Sequence, residues 1–371
     1  MRVGVPKEIK NNEFRVGLTP ASVREYVSQG HTVLVESSAG LGINASDDTY
    51  RAAGATVMPT AIDVFNGSDM IVKVKEPQPA EIKQLRPGQL LFTYLHLAPD
   101  PEQARALMAS GCTAVAYETV TDENGGLPLL APMSEVAGRL SIEAAALALR
   151  RSNGGRGLLL GGVPGVPPGK VVVIGGGVVG FHAADMAVGL GADVTLLDRS
   201  VPRLRLLNEI FGGRVKTCFS TAEAIEHEVA AADAVIGAVL VVGASTPRLV
   251  TRAMLSTMKR GAVLVDVAID QGGCFETSRP TTHEKPTYEV DGIVHYCVAN
   301  MPGAVPLTSS HALNNATLRY GLALASEGLD ALRRDAHLRA GLNVHAGQIT
   351  HPAVATSLNV PYVDPLKALG A

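Results

Sequence analysis

Apolar runs alternate with amphipathic segments along most of the chain, which predicts strands that are each followed by a helix. In the first part, the runs typical of strands are RVGV, HTVLVE, MIVKVK, QLLFTYL and CTAVAYETV. Thr19 and Pro20 have the residue types of an N-cap and a first helical turn, and they open a helix that Gly30 ends. The segment EQARALMAS predicts another helix. This part is therefore expected to form a βα domain.

The second part continues the alternation. Its predicted strands are VVVI, VTLLD, RVKTCF, AVIGAVL, AVLVDVAI and IVHYCV, with helices between them, as a doubly wound sheet with right-handed crossovers requires. A long helix capped by Ser134 leads to GGRGLLLGGVPGVPPGK, which is expected to connect the two parts. Beyond Pro306 the pattern is helical to about Leu338, and a loop-rich tail follows. The chain predicts an α/β fold of two doubly wound domains.

The domain boundaries are expected near Leu127 and Pro306. Residues 128–306 then form one domain, inserted in a discontinuous domain made of residues 1–127 and 307–371. A chain of 371 residues with 46% hydrophobic content exceeds the usual size of a single core, which agrees with two domains.

The charge and hydropathy patterns exclude several classes of partner. A net charge of −3 without a Lys/Arg run argues against nucleic-acid or membrane surfaces. The amino-terminal segment is charged from its start and has no apolar signal-peptide region, and the run at residues 234–244 is too short to span a bilayer. We expect a soluble, cytoplasmic protein.

The four cysteines, Cys112, Cys218, Cys274 and Cys297, are widely separated and lack CxxC spacing. All except Cys274 lie in strand-like apolar surroundings and are expected to be buried thiols. Cys274 lies in the QGGCFE loop, and its role stays open. Because no His/Cys/Asp/Glu cluster has a recognisable ligand spacing, we expect that no metal is required.

The segment VVVIGGGVVG contains the glycines Gly175, Gly177 and Gly180 after an apolar strand. The first glycine suits a tight turn, the second lets backbone amides approach a pyrophosphate, and the third lets the next helix pack against the sheet. Asp198 ends the next strand and is expected to bind the ribose hydroxyls, which predicts NAD rather than NADP. Arg199 beside it weakens that preference, and a helix-capping role for Asp198 is the alternative. This part is predicted to be a Rossmann NAD-binding domain.

Four ionisable residues stand at strand ends or loops with apolar surroundings: Arg15, Lys75, His96 and Asp270. Lys75 and Lys73 alternate, so both are expected on one face of a strand. A solvated edge strand is the alternative, and it is a reasonable one for Lys73. His96 follows an apolar strand and is expected at the rim of a crevice, although a packed core histidine is the alternative. Asp270 precedes the QGG segment and could equally be a turn or cap residue.

The chain resembles the alanine dehydrogenases over nearly its whole length. The matching segments are KNNEFRVGLTP, KVKEP, LFTYLHLA, LPLLAPMSEVAGRLS, GGVPGV, the glycine fingerprint, GAVLVDVAIDQGGCFETSRPTTH and YCVANMPGAVP. The resemblance implies NAD-dependent, reversible oxidative deamination of L-alanine to pyruvate and ammonia. It also implies a homo-oligomer, commonly a hexamer. The tail after Leu338 has no matching motif.

The resemblance further implies that Arg15 and Lys75 bind the substrate, that His96 is the catalytic acid/base and that Asp270 is its partner. An arginine fork can grip a carboxylate, a lysine can polarise a keto or imino group, and histidine can exchange protons near neutrality. Asp270 would orient water or the amine. We expect these four groups to meet beside the cofactor.

The expected cofactor contacts follow the strands of the second part. They include Ser134, Arg203, Ser220 and Arg279, which the resemblance implies and for which a cap or surface role is the alternative. The remaining expected contacts are Gly175, Gly177, Val178, Val179, Gly180, Asp198, Val239, Leu240, Val267, Ala268, Ile269, Asp270, Val298, Ala299, Asn300 and Met301.

Two rival functions share this scaffold. The NAD-binding part of the proton-translocating transhydrogenase has segments similar to RVGVP and VKVK, but it needs no substrate acid/base, so His96 argues against it. A catalytically silent NAD sensor is the second rival, and the combination of four ionisable residues argues against silence. Reductive amination of glyoxylate to glycine is expected as a side activity of the same pocket.

Overall fold

The apolar runs form the strands of two mainly parallel sheets in the computed structural model, which describes residues 1–239 and 247–370. The chain divides into two units: unit 1 consists of Met1–Met133 and Val305–Ala371, and unit 2 consists of Ser134–Ala304.

The strands are short and alternate with helices through most of the chain. The strands are β1 (Arg2–Val5), β2 (Thr32–Glu36), β3 (Thr56–Met58), β4 (Met70–Val72), β5 (Leu90–Thr93), β6 (Thr113–Ala116), β7 (Lys170–Ile174), β8 (Asp193–Asp198), β9 (Val215–Phe219), β10 (Ala234–Gly237), β11 (Val263–Asp266), β12 (Thr287–Val290), β13 (Ile293–Tyr296), β14 (Leu342–His345) and β15 (Gln348–Ile349). The α-helices are α1 (Pro20–Ser28), α2 (Asp47–Ala52), α3 (Ala61–Gly67), α4 (Pro79–Ile82), α5 (Pro101–Ser110), α6 (Ala131–Ala148), α7 (Val178–Gly189), α8 (Val201–Phe211), α9 (Ala222–Ala231), α10 (Arg252–Leu255), α11 (Pro306–Glu327), α12 (Leu329–Arg334), α13 (Ala336–Arg339), α14 (Pro352–Leu358) and α15 (Pro365–Ala368).

Both sheets have the same parallel strand order. Unit 1 has the order β3-β2-β1-β4-β5-β6, and unit 2 has the order β9-β8-β7-β10-β11-β13. Each order reverses direction once, between β1 and β4 in unit 1 and between β7 and β10 in unit 2. Ligands of open α/β sheets bind outside the carboxyl ends of the strands at such a reversal. The predicted fold class, α/β with two doubly wound sheets, is confirmed.

Antiparallel strands extend one edge of each sheet. In unit 1, β14 pairs with β6 and β15 pairs with β14, and in unit 2, β12 pairs with β13. The expectation of a merely loop-rich tail after Leu338 is therefore wrong, because the tail supplies β14, β15, α14 and α15. These elements are too short to give a periodic sequence pattern, and the strands exist through pairing with a distant edge.

Buried side chains alternate between two layers on the central strand of unit 2. Val171 and Val173 pack in one cluster with α6 and α7, whereas Val172 and Ile174 pack in the other with α9 and α10. A continuous apolar strand buried on both faces is typical of a parallel sheet covered by helices. This explains why VVVI carries no polar alternation.

Helix-start signals were interpreted correctly at α1 and incorrectly at α6. The Thr19 side chain accepts a hydrogen bond from the Ser22 N–H, and Gly30 follows the helix with a φ of 82°. Ser134 is not an N-cap, because the N–H of Ala131 already donates to the Leu127 carbonyl and α6 begins at Ala131.

The cysteines differ in burial, and all four are free thiols. Cys112, Cys274 and Cys297 are fully buried. Cys218 is only half-buried, so the expectation of a buried thiol is wrong there. The reason is that β9, which contains Cys218, is an edge strand of the sheet.

Across residues 1–239 and 247–370, no helix is long and apolar enough to cross a membrane. In the same ranges, no group of three or more His, Cys, Asp and Glu side chains is arranged to hold a metal ion.

Two glycines of α7 give a matched stability test. A Cβ at Gly180 would lie 1.7 Å from the Gly175 carbonyl oxygen, whereas a Cβ at Gly189 meets no atom within 4 Å. We expect Gly180→Ala to lower the free energy of unfolding by about 3 kcal/mol or more, because helix and turn must separate. Gly189→Ala should raise it by about 0.5–1 kcal/mol. Urea denaturation followed by circular dichroism measures both, and equal effects would contradict this packing.

Candidate functional site

Unit 1 gathers three of the four ionisable candidates at one edge of its sheet. Lys75 follows β4, His96 follows β5, and Arg15 lies in the loop between β1 and α1. Because the carboxyl ends of parallel strands meet at one edge, these loops lie close together. Asp270 lies in unit 2, in a one-turn 3-10 helix after β11.

Arg15 is held by a carboxylate that the sequence reasoning missed. Its side chain is 2% exposed, and its Nε and Nη2 donate to the two Glu13 carboxylate oxygens at 2.7 and 2.6 Å. Its Nη1 lies 3.0 Å from the Met133 sulfur. Burial alone would lower the pKa of Arg15, but the hydrogen bond and charge of Glu13 outweigh it and raise the pKa. The fork is therefore charged and fixed in orientation, and the Glu-x-Arg spacing in NNEFR was the available signal.

The alternative of a solvated edge-strand position for Lys73 is wrong. Its side chain is 0% exposed, and its Nζ lies 3.0 Å from Glu8 Oε2 and 2.7 Å from Glu81 Oε1. The lysine follows β4, which is a central strand between β1 and β5, so no solvent reaches it. Burial would lower the pKa of Lys73, but the charges of Glu8 and Glu81 outweigh it and raise the pKa. Burial raises the pKa of Glu8, whose other oxygen accepts a 2.7 Å hydrogen bond from the Val74 N–H.

Lys75 lies beside an acidic residue, Glu76. Its side chain is 10% exposed, and its Nζ lies 3.5 Å from Glu76 Oε2. Glu76 also forms an ion pair with Lys10. Burial would raise the pKa of Glu76, but Lys75, Lys10 and the nearby His96 together lower it. The Lys75 ammonium is thus balanced by a carboxylate that stays ionised at neutral pH.

His96 projects from a strained loop. Its φ is +48°, and its side chain is 43% exposed, so it is not a packed core histidine. The imidazole stacks on the Tyr94 ring, with centroids 5.7 Å apart and planes 6° apart. Tyr94 is buried and its hydroxyl donates to the Leu129 carbonyl at 2.6 Å. Burial raises the pKa of Tyr94, so the ring is a neutral platform for the imidazole.

Glu118, which follows β6, fixes that loop and was also missed from the sequence. Its carboxylate accepts hydrogen bonds from the backbone N–H of His96 at 2.6 Å and of Leu95 at 3.1 Å. The same Oε1 lies 3.9 Å from the imidazole Nδ1. Its position just beyond a predicted strand was the signal that could have found it. The edge thus combines two paired cations with one accessible imidazole, a set that can bind a small carboxylate and exchange protons with it.

In unit 2 the glycine fingerprint has the geometry of a dinucleotide site. Gly175 has a φ of +104°, and a Cβ there would lie 2.7 Å from the Ala238 carbonyl oxygen. A Cβ at Gly177 meets no protein atom within 4 Å, so this position borders open space. Gly177 is also the N-cap of α7 and supplies no side-chain hydrogen bond to its first turn. The N–H groups of that turn suit a pyrophosphate, so the residues present fit the predicted cofactor.

Asp198 organises the backbone on both sides of the fingerprint. Its Oδ2 accepts from the Gly176 N–H and its Oδ1 from the Ser200 N–H, each at 2.7 Å. The cap of α8 is the Ser200 side chain, which accepts from the Arg203 N–H, so Asp198 is not itself the helix cap. The Arg203 Nε donates to the Gly176 carbonyl at 2.6 Å. Each carboxylate oxygen keeps a second lone pair for a ribose hydroxyl.

The other predicted cofactor contacts mostly follow strand ends of unit 2. Ser220 follows β9 and donates its N–H to the Asp198 carbonyl at 3.0 Å, and the Arg279 guanidinium covers the Tyr288 ring at 4.3 Å. Ser134 lies within the first turn of α6. Leu240 lies outside the described residues. Val178 and Val179 lie in the first turn of α7. The remainder follow β10, β11 or β13, namely Val239, Val267, Ala268, Ile269, Asp270, Val298, Ala299, Asn300 and Met301.

The comparisons with known proteins identify a family that covers most of the chain. The family model "Alanine dehydrogenase/PNT, N-terminal domain" matches residues 4–137, and the corresponding C-terminal domain model matches residues 141–352. The alanine dehydrogenase of Halomonas elongata is 57% identical over 371 residues, covering 100% of both chains. That of Bacillus subtilis is 54% identical, covering 100% of this chain and 98% of its own.

Two solved structures superpose on nearly the whole chain. An L-alanine dehydrogenase superposes with a TM-score of 0.94 at 56% identity, covering 97% of this chain and 99% of its own. A transhydrogenase from Sinorhizobium meliloti superposes with a TM-score of 0.81 at 28% identity, covering 95% of this chain and 100% of its own.

The fold and the fingerprint define a dinucleotide-binding α/β protein, and the curated relatives show that its class is that of the oxidoreductases. The full-length matches place it further: the chain belongs to the alanine dehydrogenase/PNT family. The predicted resemblance, the enzyme class and NAD as the cofactor are thereby confirmed.

Removing Glu118 tests how the His96 loop is held. Glu118→Ala leaves the N–H groups of Leu95 and His96 without their carboxylate acceptor, so we expect the free energy of unfolding to fall by about 1–3 kcal/mol. The control is Glu123→Ala, because Glu123 is exposed and forms no hydrogen bond within the part of the chain that the structure describes. It should change stability by no more than about 0.5 kcal/mol. Urea denaturation of both variants checks this, and equal losses would show that Glu118 contributes no specific support.

Proposed function

We propose that this enzyme catalyses the reversible conversion of L-alanine, NAD⁺ and water to pyruvate, ammonium, NADH and a proton. The observation that carries the proposal is the grouping of Arg15, Lys75 and His96 at one sheet edge, in a chain of this family. That grouping also argues against a silent NAD sensor, which would need neither the paired cations nor an exposed imidazole.

Substrate binding is assigned to the two cations. Arg15 binds the substrate carboxylate, and Glu13 keeps the guanidinium oriented for it. Lys75 supplies a compact positive charge that polarises the keto or imino group. Glu76 prevents an excess of positive charge before substrate arrives.

Proton transfer is assigned to His96. In the deaminating direction, the imidazole takes a proton from the water that attacks the substrate imine and returns one to the departing ammonia. Tyr94 and Glu118 hold the ring for this exchange, through stacking and through the backbone. Asp270 supplies a carboxylate that orients the water or the amine and offsets the charge of the imine.

NAD, when bound, would be the oxidant, because it accepts a hydride from the substrate Cα. The fingerprint glycines, the first turn of α7 and Asp198 would hold it. A carboxylate at position 198 favours a free 2′-hydroxyl over a 2′-phosphate, because the two negative charges would repel. The resemblance supports a homo-oligomer, commonly a hexamer. The charge and hydropathy patterns of the sequence support a cytoplasmic protein without a nucleic-acid or membrane partner.

The acid/base role is tested by His96→Ala. With pyruvate, ammonium and NADH, we expect kcat to fall by about 10²–10⁴-fold while the NADH dissociation constant stays unchanged, because the imidazole moves protons and does not hold the cofactor. Absorbance at the NADH band and fluorescence titration measure the two quantities. His227→Ala is the control, since His227 is 78% exposed on α9. An unchanged rate in His96→Ala would remove the assignment, and a wild-type protein that binds NADH without oxidising it would be a sensor.

The side activity on glyoxylate is tested with the wild-type enzyme. A pocket that encloses the pyruvate methyl group should favour pyruvate over glyoxylate in kcat/KM by about 10- to 200-fold, because one methyl group gives only modest discrimination. Initial rates of NADH oxidation with each acid and ammonium give the ratio. A preference for glyoxylate would overturn L-alanine as the principal substrate.

A further inference from the structure

A buried carboxylate ties together the two ends of the loop that carries Asp270. Asp266 is the last residue of β11 and is 0% exposed. Its Oδ2 accepts hydrogen bonds from the backbone N–H of Cys274 at 2.8 Å, from that of Phe275 at 3.3 Å and from the Ser278 hydroxyl. The chain leaves the sheet at Asp266 and returns eight residues later to the same carboxylate.

The QGG segment makes this return possible. Gly272 and Gly273 have φ values of 94° and 83°, and a Cβ on Gly273 would lie 2.5 Å from Asp266 Oδ2. Cys274 then packs against β10, where a Cβ on Gly237 would lie 3.2 Å from its sulfur. Burial raises the pKa of Cys274 to about 12, so its thiol stays protonated and serves packing.

Asp270 depends on this loop for its position. It lies in the 3-10 turn Ile269–Gln271 with an exposed side chain. In residues 1–239 and 247–370, no hydrogen bond or ion pair holds its carboxylate. The turn is closed by the Gly273 N–H, which donates to the Ala268 carbonyl at 3.1 Å. The loop backbone, and not a contact of its own, therefore sets where the Asp270 carboxylate lies.

The pKa of Asp266 is set by its burial and by hydrogen bonds from its own loop. Burial raises the pKa of its carboxyl group, against the opposing effect of the Ser278 hydroxyl and of the backbone N–H groups of Cys274, Phe275 and Ala268. Its hydrogen bonds all join it to its own loop. The group is thus directed inward to the backbone, where it can fix geometry.

We propose that Asp266 is a positioning residue, which acts on the reaction through Asp270 by holding the loop of residues 267–278 in one conformation. This inference rests on the proposed function, in which Asp270 orients water or the amine. Asp266 itself is buried and forms no part of the reacting set.

The test is a double-mutant cycle between Asp266 and Asp270, measured as oxidation of L-alanine at saturating NAD⁺. We expect Asp266→Ala to lower kcat by about 100-fold, because the carboxylate of Asp270 is misplaced by an ångström or so. The KM for L-alanine should be unchanged. Asp266→Asn should keep kcat within about threefold of wild type, since an amide oxygen can accept the same hydrogen bonds. In the Asp270→Asn background, Asp266→Ala should change kcat by less than about twofold.

The matched control is Asp233→Ala. Asp233 is also a buried carboxylate of unit 2 that accepts a backbone N–H, that of Lys170 at 2.8 Å, and it pairs with Arg156 and Lys259. Its hydrogen bonds and ion pairs go to Arg156, Lys170, Lys259 and Val263, which all lie outside residues 267–278. We expect this variant to lose stability without losing kcat. An equal loss of kcat in Asp233→Ala, or multiplicative effects of the Asp266 and Asp270 changes, would overturn the proposal.

Amide hydrogen exchange of residues 267–278 gives a readout that does not depend on activity. Protection should fall in Asp266→Ala and persist in Asp266→Asn and Asp233→Ala. If the wild type showed no alanine oxidation, the proposed function would fail, and the exchange data alone would decide whether Asp266 holds the loop. Should Asp266→Ala not fold, Ser278→Ala replaces it in the cycle, with an expected loss of kcat of about 3- to 10-fold for one lost hydrogen bond.

Discussion

The structure depends on how backbone N–H groups are satisfied where the parallel strands end. A sheet ladder pairs these groups only within the strands, so the loops that follow need other acceptors. In this chain the acceptors are carboxylates at strand ends: Glu8, Glu118, Asp198 and Asp266. Each is buried or partly buried and binds the backbone of a loop beside it. These hydrogen bonds therefore hold the loops that carry the proposed functional groups.

The two units share one strand order, but they carry different functional groups because the loops after their strands differ. After the strands of unit 1 come Lys75 and His96, each beside an acidic partner. After β7 of unit 2 comes a turn in which Gly175 and Gly180 allow close packing and Gly177 leaves space. The same scaffold can thus hold a small carboxylate in one unit and a dinucleotide in the other, as expected when function resides in loops and not in the fold itself.

Sequence reasoning predicted what is encoded locally. Apolar runs predicted the central strands, and the glycine spacing predicted the turn at Gly175. The supporting acids Glu13, Glu118 and Asp266 were missed. The Glu-x-Arg spacing and a position just beyond a strand are weak signals, and the backbone N–H groups that Glu118 and Asp266 bind carry no sequence pattern. Lys73 was misjudged for a related reason: a lysine beside alternating residues suggests solvent, and only the arrangement of strands shows that two carboxylates enclose it.

The pairing of β14 with β6 has a consequence for synthesis on the ribosome. Unit 2 is continuous in sequence, so all its strands have emerged while the last part of unit 1 is still being translated. Until β14 emerges, β6 presents an open hydrogen-bonding edge. Open edges of this kind are where nascent chains pair wrongly with one another. Pairing with β14 therefore covers an edge of a sheet whose parallel strands were all synthesised before unit 2.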